Sequence, residues 1–239
     1  MTPVLELRDV SAAYGPFRAL FGVSITIEPG EAVALVGSNG AGKTTLARVA
    51  SGLVPPSSGS LLVDGADLTG ARAYRIAQAG VAHAPEGRSV FATLTVEQNL
   101  SLSFRRVMGR SGVRPGLDRA YELFPVLGRR RKQAAGTLSG GEQRMLSMAR
   151  VLVEAPKLLI ADELSLGLAP IIVGELYDSL ERLRTEGTSL LIVEQQVGHA
   201  LELCDRVVML DHGAVSWTGP SAQAGAVIHQ AFSPASTAP

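Results

Sequence analysis

Hydrophobic side chains recur along this chain in two rhythms. From Val4 to Val10, Leu5 and Leu7 alternate with Glu6 and Arg8, and Val23-Ser24-Ile25-Thr26-Ile27 repeats the alternation. A period of two places alternate side chains on opposite faces, so both stretches predict half-exposed strands. Ala32 to Val36, Leu158 to Asp162 and Ser189 to Val193 are instead short apolar runs, which predict buried strands. Ser60 to Val63 reads as a strand entering the Asp64-Gly65 turn, and Val81-Ala82-His83, with the segment Ala84-Pro85-Glu86-Gly87-Arg88 after it, is given no assignment. Arg206 to Asp211 and Ala214 to Trp217 form a last pair of strands turning at His212-Gly213. Helices are predicted over Thr44 to Ala50 with Gly52 as stop, over Ala71 to Gln78, after the N-cap Thr95, and over Arg144 to Glu154. Arg105 to Gly116, rich in glycine and arginine, gives no assignment. From Ser221 onward Ala, Ser and Pro predominate and predict a loose tail.

The segments between these elements carry the chemistry. Gly37-Ser38-Asn39-Gly40-Ala41-Gly42-Lys43-Thr44-Thr45 matches the phosphate loop G-x-x-x-x-G-K-[ST], set between a buried strand and a helix. Its glycines let successive backbone N–H groups face a phosphate at a helix N-terminus. Lys43 adds a mobile charge for the terminal phosphates, and the Thr44 hydroxyl suits a Mg²⁺ coordination position. Leu138-Ser139-Gly140-Gly141-Glu142-Gln143 is a second glycine-rich loop leading into a helix. Two such loops suggest a nucleotide held from two sides. Asp162 and Glu163 end an apolar strand, where a metal-bound phosphate sits in α/β sheets. Asp162 suits Mg²⁺, and Glu163, pointing differently, suits the polarisation of an attacking water. Tyr14-Gly15 offers an aromatic face for adenine or, more blandly, a surface packing residue.

Composition narrows the field. Lysine plus arginine and aspartate plus glutamate number 22 each, so no broad basic field exists to hold a polyanion and no nucleic-acid partner is expected. The single cysteine, Cys204, excludes an intramolecular disulfide and reads as a small core residue. His83, His199, His212 and His229 show no metal spacing and read as structural or exposed. The run Arg129-Arg130-Arg131-Lys132 reads as a solvated helix face. With no signal-peptide pattern and no apolar run near the ~20 residues of a membrane span, a soluble, cytoplasmic chain is expected.

Taken together, the phosphate loop, the LSGGEQ motif at Leu138 to Gln143 and the Walker B motif at Leu158 to Glu163 resemble the ATP-binding subunits of ABC transporters. The match runs from Val4 to about Gly219. The resemblance implies an α/β P-loop NTPase with a parallel sheet core, an antiparallel β subdomain and a helical subdomain over roughly 87–150. The nucleotide-binding domain would span 1–220, with 221–239 as tail. It implies ATP and Mg²⁺ as ligands, with Gly37 to Thr45 as the phosphate cradle. Ser139, Gly140, Gly141 and Glu142 would meet the ATP of a second ATP-binding subunit. Glu163 would be the general base, with Lys43 and Gln195 assisting, and Thr44, Asp162 and Glu86 on the Mg²⁺ side; Tyr14 would stack on adenine. Two membrane permeases would hold the chain against the inner face of the membrane, with a separate solute-binding protein acting indirectly.

Four positions depart from the common family pattern. Glu86 stands where glutamine is usual, Gln195 where the switch histidine is usual, and Ala169 where the D-loop aspartate is usual. These three resemble the second ATP-binding subunit of branched-chain amino acid uptake systems. Leu164 replaces the proline expected after Glu163, and a local backbone effect is expected there. An importer for another small solute such as urea or amides, and a soluble ABC ATPase outside transport, are the alternatives.

Overall fold

The computed structural model describes residues 2–85, 87, 90–153, 155–195 and 197–232. Six strands form the central sheet: β3 (Ala32–Gly37), β6 (Val81–Ala84), β7 (Leu158–Asp162), β8 (Ser189–Glu194), β9 (Arg206–Asp211) and β10 (Ala214–Pro220). Their order is β10-β9-β3-β8-β7-β6, parallel except for the antiparallel edge strand β10. A second, antiparallel sheet has the order β2-β1-β4-β5, from β1 (Leu5–Tyr14), β2 (Phe17–Ile27), β4 (Ser58–Val63) and β5 (Ala66–Asp67). The expected core and antiparallel layer are both present.

The apolar runs of the central strands are explained by their two faces. Ala32, Ala34, Val36, Leu159, Ala161, Leu190, Ile192, Val207 and Met209 point into one core, shared with the helices that follow β6. The residues between them, Val33, Leu35, Leu158, Ile160, Leu191, Val193, Val208 and Leu210, point into another. That second core is closed by the antiparallel sheet and by helix α1 (Lys43–Ala50), which contributes Leu46 and Val49. A strand covered on both faces has no side to leave polar. Each fully buried leucine or valine contributes about 1.5–3 kcal/mol.

A short helix α2 (Ala73–Gln78) precedes β6, and a helical layer follows it. Its long helix α3 (Val96–Leu123) begins at Thr95 with a full capping box, Thr95 with Gln98, as the N-cap reading expects. The unassigned stretch 105–116 is helical, interrupted at Gly109 (φ 73°, ψ −176°). Phe104 and Leu117, on either side of that break, both enter the core, so packing overrides the glycine-rich composition. Helices α4 (Pro125–Arg129) and α5 (Gly140–Leu152) complete the layer. Arg129 to Lys132 are exposed as expected, but 130–132 lie in the turn after α4 and not on a helix face.

Beyond β7 come α6 (Pro170–Thr185), α7 (Gly198–Leu203) and α8 (Ser221–Phe232). The last of these corrects the expected loose tail. Ala224 and Ile228, four apart and therefore on one helix face, are buried in the helix-side core, and the Ser221 N–H donates to the Asp205 carbonyl at 3.0 Å. Among the described residues no helix is long and apolar enough to cross a membrane.

Candidate active site

Three of the parallel strands end at one edge of the sheet. Val36 of β3 lies beside Glu194 of β8, and Asp162 of β7 beside Val193. The phosphate loop, Gln195 and Glu163 therefore emerge side by side, at the carboxyl edge where open α/β sheets bind ligands.

The loop's geometry depends on its glycines. Gly42 caps α1 in the left-handed region (φ 102°), and a Cβ there would lie 2.9 Å from both the Ala19 carbonyl oxygen and Leu20 Cδ2. Gly37 has an ordinary φ but is crowded: its Cβ would sit 2.5 Å from the Leu210 carbonyl oxygen. Only glycine meets both demands. Lys43 is 4% exposed and folds back so that Nζ donates to the Gly37 carbonyl at 2.9 Å and the Ser38 carbonyl at 3.1 Å. Its charge is thus held at the loop by neutral carbonyls.

Asn39, Gly40, Gly42, Lys43, Thr44, Thr45 and Glu163 line one open cleft of about 210 Å³. Thr44 Oγ1 lies 3.5 Å from Asp162 Oδ1, and Asp162 is buried. A hydroxyl and a carboxylate oxygen converging beside a phosphate loop fit the all-oxygen, partly protein coordination that Mg²⁺ takes. Ala41 is packed inside the loop, and Ser38 contributes its carbonyl to Lys43.

Glu163 has a φ of 47°, a left-handed conformation that costs a non-glycine residue about 1–2 kcal/mol. A proline at 164 would drive the preceding residue toward extended backbone. Leucine imposes no such restriction, and its side chain is buried in the helix-side core.

The other expected residues lie apart from the cleft. Ser139 caps α5: its Oγ accepts the Glu142 N–H at 3.3 Å, and the Glu142 carboxylate accepts the Ser139 N–H at 2.9 Å. Burial works to raise the Glu142 pKa, but the Ser139 hydrogen bonds and the Arg130 ion pair outweigh it and hold the carboxyl below its usual range. A Cβ on Gly141 would touch Ile172 at 3.1 Å, so α5 packs closely on α6 there. Neither these residues nor Gly140 line the phosphate-loop cleft. Tyr14 is exposed at the tip of the β1–β2 hairpin opposite Phe17, and Gln195 is exposed just past β8. Glu86 lies outside the described residues.

Two buried charged residues escaped the sequence reading. Arg144, 5% exposed on α5, donates to four carbonyls: Pro85 at 2.9 Å, Gly87 at 2.5 Å, Asp162 at 3.0 Å and Glu163 at 2.9 Å. It ties the helix of the second glycine loop to the end of β7. An arginine beside the apolar run Met145-Leu146 was the available signal. Glu194, 2% exposed, accepts from the Ser165 N–H at 3.0 Å and from the Ser165 hydroxyl at 2.8 Å.

A larger cleft of about 570 Å³ lies elsewhere, between the α1–α2–β6 region and the helical layer, lined by Leu53, His83, Arg106, Val107, Arg150 and Lys157 among others. Ser51 Oγ donates to the Ala47 carbonyl at 2.8 Å, so His83 Nδ1, 3.1 Å away, is the donor of their shared bond. His83 Nε2 then remains a buried acceptor with no partner among the described residues. Burial, helped by the charge of Arg48, lowers the His83 pKa from 6.5 to about 4. Between those values only the unfolded chain binds the proton, so stability should fall as pH drops from 6.5 to about 4. Urea unfolding of the H83N variant at pH 7 and pH 5 is expected to show a smaller acid loss than wild type.

The comparisons agree with the geometry. A family model described as ABC transporter matches residues 20–165. The high-affinity branched-chain amino acid transport ATP-binding protein BraG of Pseudomonas aeruginosa is 43% identical over 212 residues, covering 89% of this chain and 91% of that protein. The probable branched-chain amino acid transport ATP-binding protein LivF of Archaeoglobus fulgidus is 36% identical over 217 residues, covering 90% and 92%. Among solved structures, cbiO1 of Clostridium perfringens, part of the ABC transporter complex cbiONQ, is 27% identical, with a TM-score of 0.82 over 96% of this chain and 94% of that one. The cleft, the strand edge and these relatives lead to one conclusion: the chain belongs to the ABC transporter family, as an ATP-binding subunit.

Proposed function

We propose that this chain hydrolyses ATP, with Mg²⁺, to power an importer of branched-chain amino acids. The observation that carries the reading is the single cleft in which Glu163 stands beside a complete phosphate loop, on a chain 43% identical to a protein named for that transport. The N–H groups of the loop cradle the β- and γ-phosphates, and Lys43 exchanges its two carbonyl partners for phosphate oxygens. Thr44 and Asp162 hold Mg²⁺, which when bound offsets phosphate charge. Glu163 accepts a proton from the attacking water as that water's oxygen bonds the γ-phosphorus. The bond to the bridging oxygen breaks, and ADP and phosphate leave. Gln195 donates a neutral hydrogen bond to the γ-phosphate, and Glu86 belongs to the metal side.

The cleft of about 210 Å³ is open and small beside the roughly 300–1,000 Å³ of sites that enclose a ligand, which supports a second surface closing over ATP. We assign that surface to Ser139 to Glu142 of a second ATP-binding subunit, identical or different, with Tyr14 on the adenine. Ser139 suits this role because its hydroxyl, as an N-cap acceptor, keeps its own hydrogen to donate outward. Two permeases seat against the helical layer, where Phe91, Leu102 and Val107 are exposed. A solute-binding protein supplies the cargo.

Affinity isolation of the full chain from detergent-solubilised membranes, followed by mass spectrometry, tests the assembly. Two permeases and a second ATP-binding subunit are the expected companions, and the reconstituted complex should accumulate leucine, isoleucine or valine with ATP. Uptake of urea or amides instead would overturn the cargo. Recovery of the chain alone, or with ribosomes, would overturn the importer.

A further inference from the structure

The segment that carries Glu163 is held from both sides by the end of one strand. On its near side, the Glu163 N–H donates to the Val193 carbonyl of β8 at 2.8 Å. Two residues on, Ser165 is gripped twice by the next residue of β8: its N–H reaches Glu194 Oε1 at 3.0 Å and its hydroxyl reaches Glu194 Oε2 at 2.8 Å. We propose that Glu194 is a positioning residue for hydrolysis, a carboxylate clamp on Ser165 that fixes the strained turn bearing Glu163. This rests on Glu163 being the general base.

Several observations converge on this role. A left-handed, non-glycine residue persists only where its surroundings over-determine it. Glu163 is such a residue: its own N–H and, two residues on, Ser165 are bonded to consecutive positions, Val193 and Glu194, of a strand flanked by β3 and β7. Glu194 is itself held: the Tyr177 hydroxyl, from α6, lies 3.5 Å from Oε1. Tyr177 is buried and packs against the His199 ring at a centroid distance of 5.2 Å. The carboxylate is thus fixed from α6 while it fixes the chain after β7. Burying a carboxylate is costly unless hydrogen bonds satisfy it, and here both oxygens are used. Burial raises the Glu194 pKa above the usual carboxylate range; the Ser165 bonds and the Gln195 N–H offset this only in part, and the nearby Glu163 charge adds to the rise. No part of the proposed chemistry otherwise uses this side chain.

The test compares E194A, E194Q, S165A and the E194A/S165A double variant in the full chain, within the complex it assembles into, measuring kcat, KM and equilibrium ATP binding alongside thermal unfolding. A misplacement of about 1 Å in a reacting group can cost about 100-fold in rate, so E194A is expected to lower kcat about tenfold or more, with ATP affinity within about twofold of wild type. S165A, which keeps the backbone bond, should lose less. Because both residues act through one contact, the double variant should be no slower than E194A. E194Q, nearly isosteric and still an acceptor on one oxygen, should recover part of the rate, and it carries the test with S165A if E194A does not fold. A wild-type kcat in E194Q and S165A, additive losses in the double variant, or a loss seen only as weaker ATP binding would overturn the clamp. E163Q run in parallel separates the two readings. If E163Q abolishes turnover while the Glu194 variants keep a wild-type kcat, the clamp alone falls; if E163Q still turns over at the wild-type rate, the general-base reading falls and the clamp with it.

Discussion

Glu163→Gln is expected to lower ATP turnover by about 100- to 10,000-fold, the range that positioned general bases contribute. The substitution keeps the side chain's size and its place in the cleft with the phosphate loop, and it removes the carboxylate that takes the proton. Backbone anchors do not change: the Glu163 N–H still donates to Val193, and its carbonyl still accepts from Arg144. The loss should therefore fall on kcat, with nucleotide binding close to wild type. Single-turnover hydrolysis together with equilibrium binding of a labelled ATP would check both halves. A variant whose KM rises while kcat holds would place Glu163 in binding and outside the chemistry.

Lys43→Ala should act on binding as well as rate. Lys43 is buried at the loop, and its charge serves the ground-state triphosphate as well as the charge that develops on transfer. Hydrogen bonds to charged groups contribute about 1.5–3 kcal/mol, which corresponds to about 10- to 150-fold in ATP affinity. Turnover is expected to be lost with it. Gln195→Ala removes only a neutral donor from an exposed position and should cost clearly less. Isothermal titration with ATP and steady-state hydrolysis of the two variants, side by side, decide the matter; equal losses would mean that Gln195 is not the weaker neutral donor assigned here.

What the sequence disclosed divides by the distance between partners. The central strands were legible because a buried strand writes its environment into consecutive residues: Val33 to Val36 are apolar because both faces are covered. The phosphate loop was legible for the same reason, since glycine, lysine and threonine at fixed offsets are a local requirement of one turn. Arg144 and Glu194 were not legible as structural residues. The acceptors of Arg144 lie 18 to 59 positions away, and the donor to Glu194 lies 29 positions away. A charged residue next to an apolar run is ambiguous until the fold supplies those partners. Helix α8 was misread for a related reason. Its alanines, after the single Ser221, look like a tail, and only the burial of Ala224 and Ile228 against the core gives one face a function.

The alternation of the central strands between two cores has a mechanical consequence. The sheet is the common wall of two compartments, and each strand presses on both through successive residues. Close-packed interiors transmit strain with little compression, so a displacement at the strand ends beside Gly37 and Asp162 loads the antiparallel layer and the helical layer together. In the helical layer that load meets a break in α3, where Gly109 interrupts the helix and no heavy atom lies within 4 Å of where a Cβ would stand.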